Sequence, residues 1–128
     1  MSDWYTEMFA RVDDGDLEGY LESVSEDASV IFANNEPTVG KPAIRAMFTE
    51  ILDALDGMTH HWEHAYTNGG DTTALEGRIA YHRKDGHTVE LPVVTVLRRG
   101  DDGLVDQLRV YIDGTPTFAP VADAAGGD

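Results

Sequence analysis

From Met58 onward the hydrophobic pattern of this chain changes its period. Before that point apolar residues recur every three or four positions, the spacing of one helix face. After it they alternate, the spacing of a half-buried strand. Helices gathered first, followed by four strands joined by short turns, define an α+β layout with the helices on one side of an antiparallel sheet. Trp4, Tyr5, Met8, Phe9 and Val12 give the first short helix its apolar face, and Asp13-Asp14-Gly15 breaks it. Asp16 is placed to cap a second short helix striped by Leu17, Tyr20, Leu21 and Val24. Val30-Ile31-Phe32 reads as a short strand and Asn34-Asn35-Glu36-Pro37 as a turn. Gly40-Lys41-Pro42 opens the longest helix, with proline in the first turn where its missing N–H is not needed. Ile44, Met47, Phe48, Ile51, Leu52 and Leu55 form its buried face, and Gly57 is its expected end.

The strand half divides at its turn residues. Met58 to Thr67 is followed by Asn68-Gly69-Gly70-Asp71; Thr73 to Arg83 and Thr88 to Arg98 flank the hairpin signal Lys84-Asp85-Gly86-His87; a last strand runs from Leu104 to Asp113. Their succession predicts an antiparallel meander. Pro92 calls for an edge position or a bulge, because proline donates nothing to a ladder. The compact domain is expected over residues 1–118, with residues 119–128 a mobile acidic tail. A strongly bent sheet wrapped around one long helix leaves an open cone, the natural place for a pocket.

Charge narrows the partners. Nine basic against 24 acidic residues give a formal charge of −15 and a pI near 4.4, a surface that repels phosphate backbones and anionic membranes. No apolar run is long enough to span a bilayer, and Asp3 and Glu7 lie where a secretory signal carries positive charge, so a cytoplasmic protein is expected. The absence of cysteine excludes disulfides, thiolate metal sites and cysteine nucleophiles. No turn has the strand-to-helix glycine pattern of a phosphate loop, and no cofactor is expected.

In order and spacing, several segments resemble the SnoaL-like branch of the nuclear transport factor 2-like superfamily. They include Asp14-Gly15-Asp16-Leu17, Asp27-Ala28-Ser29-Val30, Gly40-Lys41-Pro42-Ala43-Ile44-Arg45, Gly57-Met58-Thr59-His60-His61, Tyr81-His82-Arg83-Lys84-Asp85-Gly86, Leu91-Pro92-Val93-Val94 and Arg109-Val110-Tyr111-Ile112-Asp113. The resemblance implies a cone-shaped curved antiparallel sheet around a long helix, preceded by two short helices. Relatives include steroid isomerases, epoxide hydrolases, polyketide cyclases, dehydratases and non-catalytic binding proteins, so the fold alone does not give the function. The ketosteroid isomerase pattern puts Met8, Phe32 and Val94 where that chemistry needs a tyrosine, a carboxylate base and an oxyanion-holding acid. The limonene-epoxide hydrolase pattern keeps Arg78 but puts Ala80 and Val110 at its carboxylates. Neither activity is expected.

The resemblance also implies that Arg78, Ala80 and His82 face the cone. His82 is then the leading acid–base candidate and Arg78 a holder of a carbonyl or enolate oxygen. The structural alternative pairs Arg78 with a carboxylate and leaves His82 as a solvated hairpin residue. His60, His61 and His64 on the preceding strand add further candidates, with His61 and His64 entered beside His82 and Arg78 in the catalytic set. A shared metal is not expected, because four strand residues separate His60 from His64 by about 13 Å. Tyr5, Met8, Phe32, Trp62, Val94, Val110 and Ile112 make the expected pocket lining. Leu108, Val110 and Ile112 share one face of the last strand, which the resemblance puts toward the cone, so that Arg109, Tyr111 and Asp113 are expected to face away. A homodimer is expected, and three functions fit: cofactor-free acid–base conversion of a small hydrophobic metabolite (isomerase, cyclase, dehydratase or hydratase type), a non-catalytic dimeric module that only binds one, or a homodimer with no small-molecule role. An enzyme requires polar groups converging inside the pocket; a binding module needs them only at its rim.

Overall fold

The computed structural model describes residues 3–118; the expected tail at 119–128 lies outside them. Two short helices open the chain, α1 (Trp4–Asp13) and α2 (Leu17–Leu21). Asp16 caps the second as expected, its carboxylate accepting the Gly19 N–H at 2.9 Å. Strands β1 (Val24–Phe32) and β2 (Thr38–Val39) follow, then the long helix α3 (Lys41–Asp53) and four strands, β3 (Leu55–Thr67), β4 (Thr72–Arg83), β5 (Thr88–Arg99) and β6 (Val105–Tyr111). A 3₁₀ turn at Thr115–Thr117 ends the described chain. No described helix is long and apolar enough to cross a membrane.

The six strands form one curved, unclosed sheet in the order β2-β1-β6-β5-β4-β3. The expected meander is its β3–β6 half. Every neighbouring pair is antiparallel except β1 with β6, which run parallel. Pro92 meets the edge requirement. The β5–β6 pairing begins only at Val94–Tyr111, so the edge of β5 at Pro92 has no strand on that side.

Three expected boundaries move. The first strand begins at Val24, six residues before Val30: Val24, Ala28 and Val30 are buried and so hold the Ser25-Glu26-Asp27 stretch in the sheet, with those residues turned outward or half-buried. The long helix stops at Asp53, and Leu55 and Gly57 belong to β3, so Gly57 is a strand residue with φ +154° and not the helix terminator. Thr38–Val39, next to the expected turn, adds a two-residue edge strand.

The helices cover the concave face. Ile44 and Phe48 of α3 are buried against it, joined by Met8, Phe9 and Val12 of α1 and Tyr20 and Leu21 of α2. Burying side chains of this size stabilises the fold by about 1.5–3 kcal/mol each. Glu18 and Arg45 tie α2 to α3 through two hydrogen bonds of 2.9 and 3.1 Å. Arg99, at the end of β5, stacks its guanidinium 4.2 Å from the Trp4 ring and so anchors the start of α1. The sheet's opposite, convex face carries no helix among the described residues.

Candidate active site

Alternation fixes what each strand sends into the cone. On β4 the buried set is Leu75, Gly77, Ile79 and Tyr81; on β5 it is Val93, Thr95 and Leu97. Directly paired residues share a face, so Met58 and His60 of β3 join Tyr81 and Ile79 on the concave side. Of these, Met58, His60, Ile79, Tyr81, Val93 and Thr95 enclose a chamber between sheet and helices, together with Phe9, Val12, Tyr20, Phe32, Phe48, Ile51, Leu108 and Val110. Its lining is apolar except for His60, Tyr20, Tyr81 and Thr95. The free space at its centre is 30 Å³, room for one or two water molecules.

His60 is held by Asp13, the last residue of α1. The Asp13 carboxylate accepts the His60 backbone N–H at 2.8 Å through Oδ2 and meets Nδ1 at 2.6 Å through Oδ1. Both side chains are largely buried, 10% and 16% exposed. A carboxylate only accepts, so Nδ1 carries a proton, and of the two neutral tautomers the contact selects the one with its lone pair on Nε2. Nε2 has no partner among the described residues. Phe9 and Trp62 flank the imidazole with ring centroids 4.8 and 5.4 Å away, so its orientation is fixed by packing as well as by hydrogen bonding. The same imidazole borders a surface groove shared with Asp13, Thr6 and Ala10. The pair thus stands in the wall between chamber and solvent.

The phenols of Tyr20 and Tyr81 are the second feature. Neither makes a hydrogen bond among the described residues, and burial raises both above the ordinary phenol value, Tyr81 to about 12. Both are therefore neutral O–H donors at physiological pH. Tyr81 and His60 are diagonal neighbours on β4 and β3, about 7–8 Å apart at the backbone.

The expected catalytic set lies elsewhere. Arg78 and His82 occupy the convex face, one residue out of phase with Ile79 and Tyr81. Arg78 pairs with Glu90 at 2.9 Å, and His82 sits between the hydroxyls of Thr59 and Thr88 at 3.0 and 3.2 Å. The reason is physical: a period-two strand can bury only one set, and Leu75, Ile79 and Tyr81 outweigh Ala74, Arg78 and His82. His61 pairs with Arg78, so these two are brought together, but outside the chamber. A bulge between Trp62 and His64 shifts the phase of β3, leaving exposed His64 opposite Glu76 and exposed Tyr66 opposite Ala74. Ala80 and Val94, like Arg78, fall on the outward phase.

Of the expected lining, Phe32 and Val110 do line the chamber. Met8 is 1% exposed and packs in the core behind it. Trp62 packs on the chamber wall with its Nε1 buried and without a partner among the described residues. Tyr5 lies at the surface with its hydroxyl on Asp3, half-buried Val94 points outward, and Ile112 borders a separate groove. The polar residues of the site that the sequence reading missed are Asp13, Tyr20, Tyr81 and Thr95, and most of the apolar lining, such as Phe9, Phe48, Met58 and Ile79, was missed as well. Asp13 carried one usable signal: a carboxylate at a helix C-terminus opposes the helix dipole and calls for a compensating partner.

The outer groove lies where β1 ends and the chain leaves β6. It is lined by Phe32, Ala33, Asn34, Asn35, Ile112, Asp113, Gly114, Thr115 and Phe118. Ala33 is left-handed at φ 55°, the only described non-glycine residue with positive φ, a conformation costing an alanine about 1–2 kcal/mol. Its N–H bonds to the Val110 carbonyl at 2.9 Å. Hydrogen bonds from the Thr115 hydroxyl and backbone N–H hold the Asp113 carboxyl below the usual carboxylate range.

Solved structures share this architecture. One is an NTF2-like protein of unknown function from Burkholderia pseudomallei, 15% identical over 88% of this chain and 90% of its own, with a TM-score of 0.79. A second is SalBIII, an epoxide hydrolase/cyclase-like enzyme in pyran ring formation in polyether salinomycin, 22% identical over 87% and 88% with a TM-score of 0.76. A third is RV0760c from Mycobacterium tuberculosis in complex with estradiol-17β-hemisuccinate, 21% identical over 85% and 90% with a TM-score of 0.77. No curated protein matches the chain. The SnoaL-like domain family, in contrast, matches residues 5–107, spanning α1 to β6 and every residue of the chamber except Leu108 and Val110, and the chain belongs to it.

Proposed function

We propose that this protein converts a small, largely apolar metabolite by cofactor-free acid–base chemistry, with His60 as the proton-transfer group. The observation that carries this reading is the largely buried Asp13–His60 pair, whose imidazole stands in the wall of a predominantly apolar chamber. Neutral His60 takes a proton through Nε2 from a carbon or hydroxyl beside a carbonyl, and the Asp13 carboxylate stabilises the imidazolium that forms. A phenol of Tyr20 or Tyr81 donates to the carbonyl oxygen as negative charge builds on it. Return of the proton from His60 to a second position completes an isomerisation; its return to a departing hydroxyl completes a dehydration. Asp13 touches no substrate in this scheme and is a positioning residue. SalBIII's role in pyran ring formation and the steroid ester bound by RV0760c support a ring-bearing ligand.

The alternative reading, a module that holds an apolar ligand without converting it, is favoured by the lining itself, ten of whose fourteen residues are apolar. A panel of hydrophobic ketones, enones and epoxides in deuterated water separates the two. Conversion or α-proton exchange is expected from the wild type, falling by about 10²–10⁴-fold in His60→Gln. Turnover unchanged in His60→Gln removes that residue from the mechanism. Binding without any conversion or exchange establishes the module. We further infer a homodimer through the convex sheet face, where Tyr111 and Tyr66 are 54% and 57% exposed and the Arg109 Nε is buried without a partner among the described residues.

A further inference from the structure

Phe32 stands between two spaces of opposite character. Behind it is the chamber, with 30 Å³ of free space. In front is the groove at the end of β1, open to solvent and offering 580 Å³. Of the residues lining either, Phe32 alone borders both. The chamber as it stands is too small for an organic ring, so admission requires a lining side chain to move. Phe32 is half-buried and is placed to do so. A side chain at Gly114 would begin 3.9 Å from the Phe32 ring edge; glycine leaves that volume to the ring. The backbone beside it is pinned: Ala33 donates to Val110, and Asn35 donates to the Phe32 carbonyl at 3.0 Å. Motion is thereby confined to the side chain.

The groove's chemistry differs from the chamber's. The Asn34 and Asn35 carboxamides are exposed and make no hydrogen bond among the described residues. Asp113 supplies a carboxylate, Phe118 an exposed ring, and no cation is among the lining residues. Such a rim accepts hydroxyl, amide or cationic groups and repels carboxylates.

We propose that Phe32 is a swinging partition across one two-part ligand site. The chamber takes a ring system, and the groove takes the uncharged or cationic polar end of the same molecule. This rests on the reading that the chamber binds a small apolar molecule, and the test keeps the two apart. N-phenylnaphthylamine, a neutral dye that brightens in apolar surroundings, is mixed with wild type, Phe32→Ala and Phe32→Leu in stopped flow, with thermal melts confirming that each is folded. If the closed partition limits entry, association is about tenfold faster in Phe32→Ala and intermediate in Phe32→Leu, in proportion to the open fraction. Equal association in all three overturns the partition while leaving the chamber reading intact. Dye binding to none of them overturns both.

The outer subsite is read with naphthylbutanol and its trimethylammonium and carboxylate analogues, as displacers of the dye at moderate salt. The trimethylammonium compound is expected to outbind the carboxylate in wild type, and Asp113→Asn to shrink that ratio about fivefold. Comparing wild type with Asp113→Asn removes the effect of the protein's overall charge, which both share apart from one unit. Asparagine still accepts the Thr115 N–H, so the chain path is kept. A ratio the same in both proteins overturns the polar subsite.

Discussion

Removing the Asp13 carboxylate separates the structural role of the pair from its chemical one. Asp13→Ala strands two donors, the His60 backbone N–H and Nδ1–H, which now bond at 2.8 and 2.6 Å. With only 10% and 16% of the two side chains exposed, water restores little of that loss, and each unsatisfied donor costs about 1–3 kcal/mol. Against this, removing a negative charge from a helix C-terminus returns about 0.3–1 kcal/mol. The net loss is about 3 kcal/mol, which for a chain of this length lowers Tm by about 10 °C. Asp13→Asn behaves differently. Its oxygen can keep the backbone N–H, but its NH₂ then faces Nδ1, so the ring proton moves to Nε2. Stability falls by only about 1 kcal/mol, yet the lone pair has left the nitrogen that the chemistry needs. Circular dichroism melts read the first effect, and nitrogen chemical shifts of the His60 ring read the second. An Asp13→Ala melt within about 2 °C of wild type refutes the buried pair. Nε2 remaining unprotonated in Asp13→Asn refutes the tautomer argument.

Three further outcomes follow from the geometry. Burial raises Tyr20 and Tyr81 above their unfolded value near 10. Their contribution to stability is therefore complete below pH 10 and is lost as pH rises toward and through the folded values, at about 2.7 kcal/mol per pH unit while both protons are retained only by the folded state. Absorbance at tyrosinate wavelengths is expected to show these two phenols titrating only as the fold is lost; all five tyrosines titrating before unfolding contradicts it. Gly77 lies so close under β3 that a β-carbon would overlap the His61 carbonyl oxygen and lie 2.9 Å from Trp62 Cα; Gly77→Ala is expected to lose about 3 kcal/mol or more in denaturant melts, and a neutral effect contradicts the close approach. Light scattering is expected to give twice the 14.0 kDa chain mass, reverting to the single mass in Val96→Asp on the convex face; a wild-type monomer contradicts the dimer.

The sequence carried the fold because fold-level signals are redundant. Five apolar residues on one face of α3 and an Asp-Gly hairpin turn each survive a one-residue error, and the switch of period at Met58 needs no exact boundary. A side chain's face on a strand has no such tolerance, since a slip of one residue reverses it. That is why Arg78 and His82 were expected in the cone and stand outside it, while Ile79 and Tyr81 occupy it. The pattern was nevertheless readable. Leu75, Ile79 and Tyr81 against Glu76, Arg78 and His82 is a contest that burial decides without help from relatives. The bulge that turns His64 and Tyr66 outward was less legible, because its cause is the extra residue at Glu63 relative to β4, a property of two strands together.

Asp13 shows the limit in another form. Asp13-Asp14-Gly15 reads correctly as a helix stop, and α1 does end there. What the local reading cannot supply is a partner 47 residues away. The carboxylate looked structural because helix ends and turns favour aspartate; it becomes interesting only once β3 brings His60 beneath it. Yet the placement carries its own tension. Asp13 is the last residue of α1, where the dipole disfavours negative charge, and Arg11, two residues back, pairs instead with Glu22 at 3.8 Å. A carboxylate kept at the wrong end of a helix, largely buried and with no arginine or lysine on it, has its compensation in the imidazole and amide of His60. The cost of that placement is local, and the return is an imidazole whose free nitrogen is set by a carboxylate rather than by solvent. Filling a core with apolar residues gives no reason to accept the exchange, whereas the proton transfer proposed for His60 does.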